Sequence, residues 1–162
     1  MNDLQSNGDQ KPKSLFRVIF ITGFIAGILD ATAASLNFWI RTGKSPLRVF
    51  QFIASGVFGK DPEPSGNAKA AWGLLFHFCI AYLFTLIFFL IYTRIKIASK
   101  NAFITGIIYG CFVWLVMNLV VVPLSNTPKL PFNLAQTILG VIFLIVCIGL
   151  PNSLIAKKFY SK

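Results

Sequence analysis

The chain reads as an all-α integral membrane bundle: four transmembrane helices and one amphipathic interfacial helix. Composition is the first observation behind this. Of the 162 residues 56% are apolar and only 12% charged, about half the charged fraction of an ordinary soluble domain, ~25%. The second is length. Four apolar runs of about twenty residues each recur, enough to cross a hydrocarbon core of about 30 Å. The third is where the charge lies. The net charge of +10 collects at the ends of the apolar runs, where lipid head groups and topology account for it. It forms no basic and aromatic stripe of the kind nucleic acid requires, so no nucleic-acid partner is expected. The bilayer is the partner that the composition names.

Residues 1–14 are polar, with Gly8, Pro12, Lys11 and Lys13, and read as a disordered tail. Everything from 15 to 160 reads as one domain. The first span covers about 16–40. Its start, with Lys11, Lys13, Arg17 and the apolar run Val18–Leu29 before Ala31-Thr32-Ala33, has the layout of a signal peptide. The run stays apolar to Trp39-Ile40 and has an acid, Asp30, just before the small residues, so a retained span is expected.

Residues 46–58 carry helical periodicity but are too few to span. Arg48, Gln51 and Ser55 fall on one face; Phe50, Ala54, Val57 and Phe58 fall largely on the other. A helix lying at the interface fits, as does a re-entrant hairpin covered by protein. It would serve as a surface bridge between two spans or as a lid over a cavity. Gly59–Asn67, GKDPEPSGN, is a turn-rich break. The second span covers about 72–93, the third about 102–122, with Pro123 after it, and the fourth about 134–156. No tandem repeat is visible.

Lysine and arginine set the orientation. With both termini inside, Lys11, Lys13, Arg17, Arg94, Lys96, Lys100, Lys157, Lys158 and Lys162 are cytoplasmic. Arg41, Lys44, Arg48, Lys60, Lys69 and Lys129 are then outside, mostly in one long loop. That balance favours cytoplasmic termini.

Within the membrane the polar residues stand out, because a charge at that depth costs ~2.5–3.5 kcal/mol on insertion scales. In the first span Gly23, Gly27, Asp30, Ala34 and Asn37 recur at helical spacing and form one stripe. Gly23 and Gly27 are a small-xxx-small pair, which admits a close neighbour, so Asp30 should face protein. Gly73, His77 and Ala81 share a face of the second span. Gly106 and Gly110 form a second small pair on the third span, where Asn118 lies toward the outer end. Gln136, Gly140 and Cys147 share a face of the fourth. Under the expected topology Asp30, His77, Asn37, Asn118 and Gln136 all fall in the outer half, and the reading is a polar pocket open or nearly open to that side. His77 is the one histidine of the chain. Asp30 is either a packing residue bonded to neighbouring amides and hydroxyls or a group that handles a proton, an ion or a ligand. The glycines Gly23, Gly27, Gly106, Gly110 and Gly140 read as helix-packing residues, and homo-oligomers are expected from such faces.

Enzyme signatures are lacking. Cys79, Cys111 and Cys147 have no metal or redox spacing, there is no phosphate-binding glycine loop, and no nucleophile stands beside Asp30 and His77. No catalytic residue, metal or cofactor is expected. Two functions remain: a transport-type or proton-responsive protein using the pocket, or a membrane scaffold in which Asp30 is structural.

GFIAGILDATAA, SGVFG, GLLFHF and GIIYGCFVWLVMNLVVVPLS together resemble the YagU-like bacterial inner-membrane proteins, a family of unknown function. The likeness runs over most of Gly23–Pro151. It implies a multi-pass protein of the bacterial inner membrane and transfers no catalytic residue.

Overall fold

A computed structural model of the protein describes residues 14–59, 65–92, 94, 101–128 and 131–161. Among these there are five helices and no strand: α1 Leu15–Thr42, α2 Leu47–Phe58, α3 Gly66–Tyr92, α4 Ala102–Leu124 and α5 Leu134–Tyr160. The four long ones are apolar enough to cross a membrane, and the chain is a multi-pass membrane protein. The tail before Ser14, the turn over 60–64 and the basic residues Lys11, Lys13, Lys60, Lys96, Lys100, Lys129 and Lys162 lie outside the described residues.

Helix ends follow local chemistry. The Asn101 side chain accepts from the backbone N–H groups of Phe103 and Ile104, and that of Asn133 from Gln136; each satisfies donors that have no partner inside the helix. Gly43 ends α1 in the left-handed region, φ 64°, with its N–H on the Trp39 carbonyl, a conformation that glycine enters without strain. Several ends run past the sequence reading, two of them by four residues or more. α3 starts at Gly66, six residues before the apolar run, and α5 continues past 156 to Tyr160. Helices extend beyond the hydrophobic stretch because backbone hydrogen bonds propagate one per residue once a helix is nucleated.

Both C-terminal spans contain a wide turn. The Val122 N–H bonds the Met117 carbonyl and the Leu150 N–H bonds that of Ile145, in each case five residues back. A proline, Pro123 or Pro151, follows immediately. A proline has no N–H to give and its ring crowds the carbonyl four residues earlier. The wide turn takes up that misfit, and such turns occur mostly as single insertions in α-helices. So α4 runs through Pro123 to Leu124 where the sequence reading stopped at 122.

The long helices pack in antiparallel sequence. Gly23 of α1 lies under the Tyr82 ring of α3 and Gly27 under Phe78. The Tyr109 hydroxyl of α4 donates to the Phe84 carbonyl of α3. Between α4 and α5 backbones approach directly: a Cβ on Gly149 would overlap the Gly106 carbonyl, and one on Gly110 would meet the Ile145 backbone. Asn37 near the end of α1 bonds Gln136 at the start of α5, which closes the ring of four. Phe88, Phe89, Tyr92 and Tyr109 form a buried aromatic floor at the Arg94 end of α3. Phe20, Phe24, Leu83, Leu90, Ile108, Leu119 and Val146 are exposed on the outside of the bundle, the face that a bilayer covers.

Helix α2 crosses α3 at the level of Trp72–His77. Phe58 packs on Trp72 and Phe76, and Phe50 sets its ring edge against His77. Gly73 makes this crossing close, since a Cβ there would overlap the Phe50 carbonyl. The turn after α4 holds the other end: the Asn126 N–H donates to the Gly56 carbonyl at 3.0 Å. The orientation of α2 departs from its expected faces. Ser55, read as polar-side, is buried with its hydroxyl on the Phe52 carbonyl at 2.6 Å, whereas Val57, read as apolar-side, is exposed. A small serine that bonds its own helix fits a tight crossing better than a branched valine does.

Candidate functional site

All five helices contribute to one partly enclosed cavity of about 70 Å³. It is bordered by Asp30 of α1, Ile53 of α2, His77, Ile80, Ala81 and Phe84 of α3, Val113 and Met117 of α4, and Leu144 and Ile148 of α5. By this measure of volume a single water needs about 10–15 Å³, so the cavity has room for water or a small ion. A wider open groove of about 320 Å³ beside Ala68, Ala71, Trp72 and Leu75 has no ionisable side chain on its wall, so the chemistry belongs to the smaller space.

Asp30 is placed by the α1 stripe. Gly23 and Gly27 are buried under α3, and Asp30, Ala34 and Asn37 continue the same face half-buried. Its carboxylate accepts no hydrogen bond from any described residue. Such a group keeps its acceptor capacity for whatever enters the cavity. His77 is placed by α3 and fixed by a bond: its Nε2 lies 2.9 Å from the Gly27 carbonyl of α1. A carbonyl can only accept, so Nε2 carries the hydrogen and Nδ1 is the ring nitrogen left without a bond among the described residues. The imidazole and the carboxylate thus border one cavity without forming an ion pair. They are the only histidine and the only carboxylate side chain among the described residues.

The cavity is also covered by α2 and bordered by both wide turns. Ile53 puts α2 over it, and Phe50 holds the edge of the His77 ring. Met117 and Ile148, on its wall, each belong to one of the two wide turns. These features carried little sequence signal. The prolines marked the turns, but which wall they would reach depends on how α4 and α5 pack.

The other polar residues are placed differently. The Asn37 side-chain amide donates to Gln136 Oε1 at 3.2 Å, and this pair links α1 to α5 without bordering the cavity. Asn118 is exposed, and its amide donates to the Trp114 carbonyl one turn back on its own helix at 2.9 Å. It sits inside the wide turn, which adds a residue and so rotates this part of α4 away from the register of an unbroken helix. Gly140 lies against the Trp114 indole. Gly149, which the sequence reading passed over, makes the closest backbone approach in the α4–α5 pair. Its signal was the small-xxx-small pair that it forms with Ser153.

Cys147 is buried, Cys111 half-buried and Cys79 exposed. No group of three or more His, Cys, Asp or Glu side chains comes together among the described residues. No protein-family model, curated protein or solved structure matches the chain.

Proposed function

We propose that this chain is a small transport-type or proton-responsive protein of a bacterial inner membrane, a YagU-like protein with both termini cytoplasmic, working through the Asp30–His77 cavity. The observation that carries the reading is the meeting of Asp30 and His77 on one cavity wall, with His77 fixed through Nε2 and the Asp30 carboxylate unpaired. A carboxylate kept only for packing would be expected to take hydrogen bonds from neighbouring hydroxyls or amides, because an ionisable group in the membrane is costly. A group poised to exchange a proton or bind a small cation is left open to the cavity. In this reading Asp30 bears the charge, His77 relays or gates it through Nδ1, and Ile53 on α2 covers the entrance.

The scaffold reading draws less support. Its glycine stripes would have to meet partner helices, yet Gly23 and Gly27 are filled by Tyr82 and Phe78 of the same chain, and Gly106 and Gly110 by α5. The test is proton-linked current in proteoliposomes between about pH 5 and 8, where histidine changes charge. Wild type is expected to carry current, and Asp30→Asn, folded and monodisperse, to lose it. Equal current in the two would remove Asp30 from the mechanism. No current in either would return the cavity to packing.

A further inference from the structure

Three ladders run inward from the cavity. On α1, Asp30 is followed down the same face by Ala26 and then Thr22. On α3, His77 is followed by Ala81 and Thr85. On α5, Leu144 and Ile148 border the cavity and Asn152 comes next. Each step is four residues, so each ladder runs eight residues, about 12 Å, from Asp30, His77 or Leu144, with Ala81 and Ile148 still on the cavity wall. The middle rungs are small or apolar and buried. The bottom rungs are polar, and Thr22, Thr85 and Asn152 are each 0% exposed.

The helix contacts put the bottom rungs at one level. Tyr109 of α4 bonds the Phe84 carbonyl, next to Thr85. One turn away on α4, Gly106 seats against Leu150 and Ser153, which flank Asn152. Here two atoms lack partners. Thr22, Thr32, Thr42 and Thr105 turn their hydroxyls back onto the carbonyl four residues earlier; Thr85 Oγ1 makes no bond. The Asn152 amide nitrogen donates to the Ile148 carbonyl at 2.8 Å, but its Oδ1 has no donor. An unused hydroxyl donor on α3 and an unused carbonyl acceptor on α5 therefore lie completely buried at about one level of the bundle.

We propose that Thr85 and Asn152 bind a buried water molecule, a second polar station one helical turn below Ala81 and Ile148 at the edge of the Asp30 cavity. Thr85 gives the water a hydrogen, Asn152 Oδ1 takes one from it, and a lone pair of Thr22 Oγ1 takes the other. That matches the two to four polar partners of an internal water. A metal cation would need about six oxygen ligands, more than this layer offers. That the station lies on the route from Asp30 rests on the proton-linked reading; the water itself does not.

The test uses the full-length protein in lipid, as wild type and as Thr85→Val, which keeps the shape and removes the hydroxyl. In water-edited solid-state NMR the Asn152 side-chain amide is expected to receive magnetisation from water in wild type and to lose that transfer in Thr85→Val. Thermal unfolding gives an independent sign. If water satisfies the hydroxyl, Thr85→Val melts below wild type; if the hydroxyl is dry and unpaired, removing it leaves the melting temperature unchanged or raises it. A wild-type amide with no transfer, or a valine variant that melts at or above wild type, would overturn the site. A wild type that conducts no protons but shows the transfer would overturn the route and leave the water.

Discussion

At the scale of the residue, the polar side chains in this membrane domain divide by what they are bonded to. Asn37 and Gln136 are paired across α1 and α5. Asn118 is turned onto its own backbone. Asp30 is left with nothing described to accept from, and His77 is committed at one nitrogen only. The paired residues should show the modest coupling of interhelical hydrogen bonds in membranes, about 0.6 kcal/mol. A double-mutant cycle of Asn37→Leu and Gln136→Leu, read by unfolding in mixed micelles, checks this; purely additive losses would mean the bond contributes nothing. The stripe that turns Asp30 inward was legible from spacing alone, since residues three and four apart share a helix face. The separate fates of Asn37, Asn118 and Gln136 were not. Their depths agree, but rotation about the helix axis decides partners, and the wide turn at Met117–Val121 changes that rotation for Asn118.

At the scale of the element, the glycines do two different jobs. Gly106, Gly110 and Gly149 let backbone meet backbone, whereas Gly23 and Gly27 each receive an aromatic ring. A ring at the end of a flexible side chain can swing aside; a main chain cannot. Gly149→Ala is therefore expected to destabilise the fold by about 1–3 kcal/mol, the usual cost of overpacking, and Gly23→Ala by less. Chemical unfolding of the two variants side by side measures the difference, and an equal loss would contradict the distinction. Small-xxx-small spacing showed in the sequence which faces are crowded. It did not show whether a helix or a ring would fill them, because that depends on the register of the neighbour. α2 makes the same point. Its length and periodicity were readable, but its buried face was set by Gly73 and the Asn126 turn, both distant in sequence.

At the scale of the whole molecule, four antiparallel spans place the start of α1 and the ends of α3 and α5 on one side, with Arg17, Arg94, Lys157 and Lys158. Arg41, Lys44, Arg48 and Lys69 lie on the other. In the proposed orientation the first of these sides faces the cytoplasm. In intact cells, in a background without native cysteines, Lys44→Cys is expected to react with a membrane-impermeant thiol reagent and Ser161→Cys to be protected. The opposite pattern would invert the protein and make the roofed cavity face inward. The bundle was the most legible level of all, because apolar length and charge at helix ends are set by the bilayer and need no knowledge of packing.

The rings over Gly23 and Gly27 bear on how the protein is made. Tyr82 and Phe78, and His77 with its bond to the Gly27 carbonyl, all belong to α3. When α1 leaves the ribosome, none of them has been synthesised. The first span thus emerges carrying Asp30 with its groove unfilled, and α2 and the residues after it must follow before α3 can fill it. The chain order builds in an interval during which α1 carries its acid with no ring of α3 yet seated on its groove. Chains truncated before α3 should be the ones that quality-control proteases find first.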